Sequence, residues 1–270
     1  MSTPLTRGNS RVKETRKLSR RSVRTERRLF LADGPKAVAG ALSVDGCVVE
    51  VFATPEATEE HADLAASAAR WTLVDEPALA SLSDSVTPAG IVAVCSFLDV
   101  PLADALAAAT GPAKQAGLLT IAADVRDPGN AGTLLRTSDA LGAHAVVLAG
   151  HSVDVYNAKT VRASVGSLFH LPVALEPDPA VVVELARAAG LVVLAADGGG
   201  ELVLDDAAEL LAGPTAWLFG NEAWGLPREL AALADHRVRI PVPGRAESLN
   251  LATAAAICLH ESARARRVRP

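Results

Sequence analysis

Apolar and polar residues alternate along most of the chain in blocks that predict strands and helices in turn. From residue 118 onward, short continuous apolar runs are separated by longer stretches with helical periodicity. Continuous apolar strands that alternate with helices are typical of a parallel sheet covered by helices on both faces. The predicted strands are residues 118–124, 145–150, 191–196, 216–220 and 237–242.

A shorter region with the same alternation precedes these strands. It contains predicted strands at 47–53, 71–74 and 90–97, with helical patterns between them. Residues 98–117 contain Pro101 and the helix-breaking stretch TGPAKQAG, which indicate a linker. The expected organisation is a basic flexible arm (1–28), a small α/β domain (29–97), the linker (98–117) and a larger α/β domain (118–270).

The composition narrows the class of protein. Half of the residues are apolar but only 3% are aromatic, so the core must be built from Ala, Val and Leu. No apolar run approaches the roughly 18 residues that a membrane span requires, so we expect no membrane partner. The three cysteines (Cys47, Cys95 and Cys258) lie far apart, and the six histidines lack metal-ligand spacing. These patterns favour a cytoplasmic protein without a metal.

Basic residues are concentrated at the N-terminus. Residues 1–28 hold ten Lys or Arg against two Glu, although the whole chain has a net charge of −5. One interpretation is a solvated tail. The other is an arm that binds phosphates, because clustered cations release counterions from a polyanion. Under the second interpretation, Arg20, Arg21 and Arg24 are candidate contacts to a nucleic acid.

The first candidate motif, DPGNAGTLLR (127–136), follows the strand at 118–124. Pro128 and the next glycine predict a turn, and Asn130 is a suitable helix N-cap. Arg136 lies one helical turn after Gly132, and helical side chains lean toward the N-terminus. A guanidinium and free N–H groups would then form an anion site at the helix start. The alternative interpretation is a capped helix with an arginine on its surface.

Two further motifs follow later strands. In LFGNEAWGLP (218–227), glycines flank the polar pair Asn221 and Glu222, which would let the backbone approach a ligand closely. In RIPVPGRAESLNLATAAAICLHE (239–261), Ser248 is a candidate cap of a long helix, and Asn250 lies beside it. Because ligands of parallel sheets bind beyond the carboxyl ends of strands, both loops are candidate sites. The alternatives are a glycine-rich loop and ordinary capping.

Other chemistries lack their motifs. Gly198–Gly200 follow a strand, but the stretch lacks the third glycine of a dinucleotide fingerprint, which disfavours an oxidoreductase. Neither a phosphate-binding P-loop, a GxSxG nucleophile elbow nor an HExxH zinc motif occurs.

Taken together, the three motifs resemble those of the SpoU (TrmH-like) group of the SPOUT RNA methyltransferases. The family pattern N-x-G-x-x-x-R is matched by Asn130, Gly132 and Arg136. The pattern G-x-E-x-x-G-L is matched by Gly220, Glu222, Gly225 and Leu226. The pattern I-P-x-x-G-x-x-x-S-L-N is matched by Ile240, Pro241, Gly244, Ser248, Leu249 and Asn250. FLADGPKAV (30–38) is similar to the start of the family's ribosomal-protein-like RNA-binding domain, with Asp33 where Glu often stands.

The resemblance implies an enzyme that methylates the 2′-oxygen of a ribose in RNA, most often 23S ribosomal RNA. It implies S-adenosylmethionine as methyl donor, a C-terminal trefoil knot in the larger α/β domain, and a homodimer. By resemblance and chemistry, Arg136 would bind the target phosphate and stabilise negative charge on the ribose oxygen. The other catalytic candidates are Asn130, Glu222, Ser248 and Asn250. The cofactor-binding candidates are Leu218, Gly220, Asn221, Ile240, Pro241, Ser248 and Leu249. The RNA-binding candidates are Arg20, Arg21, Arg24 and Arg162.

Three alternatives stay open at this point. The substrate could be transfer RNA, the protein could be a catalytically inactive RNA-binding or assembly protein, or it could be a nucleotide-dependent oxidoreductase. The sequence leaves open the methylated nucleotide and the group that accepts the hydroxyl proton.

Overall fold

A computed structural model describes residues 3–110 and 117–268 of the chain. The chain divides into two compact units, one formed by residues 1–98 and 154–170 and the other by residues 99–153 and 171–270. Residues 111–116 of the predicted linker lie outside the described residues. Residues 102–110 of that linker form a helix whose Ala105 and Ala109 are buried in the core of the second unit.

The elements are numbered in chain order. The helices are α1 (Ser10–Arg16), α2 (Arg21–Arg27), α3 (Pro35–Leu42), α4 (Pro55–Glu60), α5 (Ala62–Ser67), α6 (Glu76–Ala80), α7 (Leu102–Thr110), α8 (Pro128–Ala140), α9 (Ala158–Ser164), α10 (Pro179–Ala188), α11 (Ala208–Leu211), α12 (Arg228–Ala231) and α13 (Leu251–Val268). The strands are β1 (Leu29–Asp33), β2 (Val48–Ala53), β3 (Trp71–Leu73), β4 (Ile91–Ser96), β5 (Leu118–Ala123), β6 (Ala145–Ala149), β7 (Val173–Glu176), β8 (Val192–Ala196), β9 (Leu202–Val203), β10 (Thr215–Phe219) and β11 (His236–Arg239).

The first unit contains a four-stranded sheet in the order β1-β4-β2-β3. Strand β4 is antiparallel to β1 and β2, whereas β2 and β3 are parallel. Phe52, Leu79 and Val92 belong to the apolar core on this sheet. The three strands predicted in this region are present, and β1 precedes them.

The N-terminal residues differ from the predicted flexible arm. Residues 10–27 form α1 and α2, joined by a single 3₁₀ turn. Val12 and Leu18 are buried in the same core as Phe52, and burial of apolar surface offsets the entropy lost on ordering this segment. Six of the ten basic residues therefore lie on two packed helices, namely Arg11, Lys13, Arg16, Arg21, Arg24 and Arg27.

Residues 154–170 also form part of the first unit, although the sequence analysis assigned them to the larger domain. The ring of Tyr156 stacks on that of Phe97 at 3.9 Å and lies 4.7 Å from that of Phe30. The Nε and Nη2 atoms of Arg24 donate to Oδ2 of Asp154 at 3.0 and 2.5 Å. A largely buried aromatic cluster and a largely buried ion pair thus hold this segment in the unit.

The second unit contains a seven-stranded sheet in the order β7-β6-β5-β10-β8-β11-β9, and every pair in it is parallel. Its core consists almost entirely of Ala, Val, Leu and Ile side chains, as the low aromatic content predicts. The predicted α/β class with a helix-flanked parallel sheet and a smaller N-terminal unit is confirmed. Strands β7 and β9, four and two residues long, were not predicted from the sequence. Within the described ranges, no helix is long and apolar enough to cross a bilayer.

Candidate active site

The three sequence motifs follow the carboxyl ends of β5, β10 and β11, which lie at one edge of the parallel sheet. Strands β5 and β10 are direct neighbours, and β8 separates β10 from β11. In open parallel sheets this edge is the usual ligand-binding edge. The motifs, far apart in the sequence, therefore meet in one place.

The first motif forms the start of α8, which Asp127 caps. The Oδ1 atom of Asp127 accepts the backbone N–H of Asn130 at 2.8 Å, and Pro128 occupies the first helical position. The sequence analysis predicted Asn130 as the cap, and the structure places it in the first turn instead. Its side chain is consequently not engaged in capping and extends to other elements.

The second motif forms a tight loop after β10. Asn221 and Gly225 exchange two backbone hydrogen bonds of 2.9 Å, and the side-chain amide of Asn221 donates to the carbonyl of Asp124 at 2.7 Å. A Cβ atom on Gly220 would lie 2.4 Å from the carbonyl carbon of Gly225. Only glycine at position 220 permits this approach.

Glu222, at the tip of this loop, reaches the start of α8. Its carboxylate accepts the backbone N–H groups of Arg126 and Asp127 at 3.1 and 3.0 Å and the side-chain amide of Asn130 at 3.2 Å. Partial burial raises the pKa of Glu222, but the hydrogen bonds from these N–H groups outweigh it, and the net pKa lies below the ordinary value. Glu222 is therefore an ionised acceptor at neutral pH.

The third motif joins the same network through Asn250. Its Nδ2 atom donates to Oδ1 of Asn130 at 3.0 Å. Its Oδ1 atom accepts the N–H groups of Ala252 and Thr253, at the start of α13, at 2.9 and 3.2 Å. Asn250, and not the predicted Ser248, therefore caps α13. A chain of side-chain hydrogen bonds, Glu222 to Asn130 to Asn250, connects all three motifs.

Arg136 lies one turn along α8 from Gly132. Gly132, Leu134 and Leu135 are buried, whereas Arg136 is exposed. In the ranges that the structure describes, no hydrogen bond or ion pair engages the guanidinium of Arg136. The arginine is therefore a cation available to a ligand.

A cavity of about 370 Å³ lies at this edge of the sheet. Of the predicted cofactor-binding residues, Gly220, Asn221, Ile240, Ser248 and Leu249 line it. Leu218 is fully buried within β10, and Pro241 is exposed beside the cavity without lining it.

The charged side chains that line the cavity are all acidic, namely Asp197, Glu222 and Glu247. Asp197 and Gly198 also line the cavity and were not predicted from the sequence. Their position does indicate a ligand site, because they directly follow the end of β8. Strand β8 lies between β10 and β11, whose loops were both predicted as candidate sites. The glycine run at that position was tested only as a dinucleotide motif.

The four arginines predicted to bind RNA differ in their surroundings. Arg20 and Arg21 are exposed. Arg24 is only 5% exposed, and its guanidinium is engaged by Asp154 and by the carbonyls of Leu18 and Ser19. Arg24 is therefore a structural residue, because a buried and fully engaged guanidinium does not reach a phosphate. Arg162 is about one-third exposed and lies 3.7 Å from Asp33 and 3.5 Å from Asp84.

Two family models match the chain. The SpoU rRNA methylase family matches residues 117–260, and the MRM3-like substrate binding domain matches residues 9–93. The first match covers the whole hydrogen-bonded network and the cavity. The second covers α1, α2, strands β1 to β3 and the first half of β4.

Individual relatives agree with these matches. The 23S rRNA (guanosine(2553)-2′-O)-methyltransferase RlmP of Bacillus subtilis is 36% identical over 254 residues, which are 93% of this chain and 95% of that protein. The 23S rRNA (uridine(2479)-2′-O)-methyltransferase of Streptomyces viridochromogenes is 45% identical over 144 residues, 52% of this chain and 50% of that protein. Among solved structures, the SpoU methyltransferase AviRb from Streptomyces viridochromogenes in complex with AdoMet has a TM-score of 0.85 and 32% identity, over 97% of this chain and 100% of that one.

Proposed function

The chain belongs to the SpoU rRNA methylase family, and from that premise we propose that it transfers a methyl group from S-adenosylmethionine to a ribose 2′-hydroxyl of 23S ribosomal RNA. The observation that carries the proposal is the network from Glu222 through Asn130 to Asn250. It joins the three family motifs beside one cavity, and α8, which carries Asn130, also carries the exposed Arg136.

The cavity suits S-adenosylmethionine. A volume of about 370 Å³ is within the usual range for small-molecule sites. The cofactor carries a sulfonium, an ammonium and a carboxylate group and is a net cation, and the acidic lining of Asp197, Glu222 and Glu247 complements that net charge. Gly220, Asn221, Ile240, Ser248 and Leu249 would hold it. When bound, it supplies a methyl group on a positively charged sulfur that a nucleophilic oxygen attacks.

Arg136 binds the phosphate next to the target ribose in this proposal. Guanidinium stays protonated in proteins, so Arg136 acts as a cation and not as a base. It stabilises the negative charge that develops on the ribose oxygen, and it holds the oxygen in line with the methyl group. Its exposure and its freedom from partners in the described ranges support this assignment.

Glu222, Asn130 and Asn250 are positioning residues in this mechanism. The carboxylate of Glu222 already accepts three N–H groups and has a lowered pKa, which make it a poor proton acceptor. Its contacts instead fix the start of α8, the helix that carries Arg136. Ser248 lines the cavity and forms part of its polar wall.

The first unit is the RNA-binding unit in this proposal. The match to a substrate binding domain supports it, as do the exposed Arg20 and Arg21. Arg162 is a weaker candidate because Asp33 and Asp84 lie beside it. The proposal also includes a homodimer, a trefoil knot around the cofactor loops and a cytoplasmic location, the last because the proposed substrate is ribosomal RNA.

A methyl-transfer assay tests the proposal. The protein is incubated with labelled S-adenosylmethionine and either unmethylated 23S ribosomal RNA or transfer RNA, and any 2′-O-methyl position is mapped. We expect label in the 23S RNA, a loss of at least 100-fold in turnover with Arg136→Ala, and unchanged cofactor binding. Arg228→Ala, which removes an exposed arginine of α12 outside the cavity lining, is the matched control.

The other outcomes separate the alternatives. Label in transfer RNA alone would keep the chemistry and replace the substrate. Cofactor binding without label in either RNA, or in intact ribosomal subunits, would favour an inactive RNA-binding protein. Normal turnover by Arg136→Ala would refute the assignment of that residue.

A further inference from the structure

Trp224 is the only aromatic residue among the exposed large apolar side chains of the described ranges, and 60% of its surface is accessible. The chain has only three tryptophans. Trp217 is fully buried, and the indole of Trp71 donates a hydrogen bond to Thr58 at 2.9 Å. Val242 and Leu249 are also exposed and line the same cavity as Trp224. Exposed apolar side chains that are grouped at one place on a folded protein mark an interaction site.

The backbone around Trp224 is held firmly. The residue lies in the loop closed by the two hydrogen bonds between Asn221 and Gly225. The side-chain oxygen of Asn221 also accepts the N–H of Ala223 at 2.8 Å, directly before the tryptophan. A ring on a fixed loop loses little conformational entropy when it binds a flat partner, so the loop is suited to present the indole as a platform.

The surroundings of the indole indicate the chemistry of that partner. Trp224 lines the cavity together with Glu222, two residues away, and with Glu247. All charged side chains of this lining are acidic, so they disfavour a phosphate. A nucleobase is flat and uncharged, and bases of single-stranded RNA stack on exposed aromatic side chains.

We propose that the indole of Trp224 stacks on the nucleobase of the nucleotide that is methylated and thereby positions its ribose at the cavity. This inference rests on the proposed function, because it requires an RNA nucleotide at this site. Arg136 then holds the phosphate of the nucleotide and Trp224 holds the base. A stacking platform tolerates any base, so it provides affinity and orientation without reading the base identity.

The test uses the full-length protein and a short RNA that carries the mapped 2′-O-methyl position. A second RNA of the same sequence lacks the base at that nucleotide but retains the ribose and its 2′-hydroxyl. The variants are Trp224→Ala, Trp224→Phe and the control Leu185→Ala, which truncates an exposed apolar side chain of α10 outside the cavity lining. Steady-state kinetics at saturating cofactor, cofactor binding and molar mass by light scattering are measured for each.

We expect Trp224→Ala to raise KM for the complete RNA roughly fivefold to 100-fold, the range for loss of one base stacked on an aromatic ring. The wild-type protein should prefer the complete RNA over the abasic RNA, and Trp224→Ala should lose that preference. Trp224→Phe should retain most of it, because phenyl also stacks. Cofactor affinity and molar mass should not change, and Leu185→Ala should match the wild type.

Several results would overturn the inference. A wild-type KM for Trp224→Ala, or an unchanged preference for the complete RNA, would exclude stacking. Weaker cofactor binding by Trp224→Ala would assign the indole to the cofactor, and a reduced molar mass would assign it to a subunit interface. Absence of methyl transfer by the wild-type protein would instead refute the proposed function itself, and the stacking assignment with it.

Discussion

Asn250 donates its side-chain amide to Oδ1 of Asn130 at 3.0 Å, across 120 residues of sequence. Each residue belongs to the first turn or the cap of a different helix, α8 or α13. Asn130 also donates to Glu222, so its two hydrogen bonds connect the start of α8 to the start of α13 and to the loop after β10. A shift at the start of one helix therefore changes hydrogen bonds at the other helix and at this loop. Such coupling suits a site in which a phosphate, a ribose and a methyl group must be aligned.

Two substitutions of Asn250 are predicted to distinguish its effect on stability from its effect on turnover. Asn250→Asp keeps the oxygen that caps α13 but loses the amide that donates to Asn130, so it should retain stability and lose turnover. Asn250→Ala loses both and should also lower the free energy of unfolding by about 0.5–2 kcal/mol. Chemical denaturation and methyl-transfer kinetics measure the two effects.

The control for this series is Asp178→Ala. Asp178 caps α10 in the same unit by accepting the N–H of Ala180 at 2.9 Å. Its loss should lower stability by a similar amount and leave turnover unchanged. Equal turnover for Asn250→Asp and the wild type would show that the hydrogen bond to Asn130 has no part in positioning.

Glu222 is predicted to make stability depend on pH. Because the pKa of its carboxyl lies below the ordinary 4.5 in the folded protein, its contribution is fully present at neutral pH. The contribution is lost as the pH falls through the lowered folded pKa. Glu222→Gln removes the charge of this side chain. It also replaces one acceptor oxygen by an NH₂ group, which is a donor and faces the N–H groups of Arg126 and Asp127.

Urea unfolding between about pH 7 and pH 3 tests this prediction. The variant should be less stable than the wild type at neutral pH, and the difference should shrink toward acid. Glu184→Gln, on the exposed face of α10, should show no such pH-dependent difference. A difference that stays constant down to pH 3 would mean that the carboxylate charge does not stabilise the fold.

Gly220 is predicted to tolerate no side chain. A methyl group there would lie 2.4 Å from the backbone of Gly225, so Gly220→Ala must open the loop that holds Asn221 and Glu222. We expect a loss of about 1–3 kcal/mol in the free energy of unfolding and a clear loss of cofactor affinity. Gly213→Ala, where the nearest added neighbour is at an ordinary 3.5 Å, is the matched control. Calorimetry of both variants measures the two quantities.

The N-terminal arginines are predicted to divide into two classes. Arg24→Ala leaves the largely buried carboxylate of Asp154 without its ion-pair partner and should lower the stability of the first unit by about 3–5 kcal/mol. Arg20→Gln and Arg21→Gln, at exposed positions, should leave stability unchanged and weaken RNA binding. Removal of each phosphate-binding cation should also reduce the slope of log affinity against log salt by about 0.7. An unchanged slope would remove these two residues from the RNA-binding surface.

The sequence was informative where local patterns decide the structure. Continuous apolar runs identified the long strands, and glycine spacing identified the loops after β10 and β11. The caps were assigned incorrectly, although Asp127 directly before Pro128 was a readable signal. The hydrogen bonds of Arg24 with Asp154 span 130 residues, and no periodicity within either segment contains that information. The residues that α1 and α2 pack against are also distant in sequence, and this is why residues 1–28 were predicted to be a flexible arm.

Residues 154–170 impose an order on the folding of the nascent chain. Residues 1–98 of the first unit are synthesised early. Phe30 and Phe97 can contact Tyr156 only after residue 156 has been synthesised, and Arg24 can pair with Asp154 only after residue 154 has been synthesised. By then β5, α8 and β6 of the second unit have already been synthesised. Residues 1–98 therefore cannot complete the fold of the first unit before residues 154–170 have been synthesised. In a chimera joined at residue 98, the two segments of this unit would come from two different parent proteins.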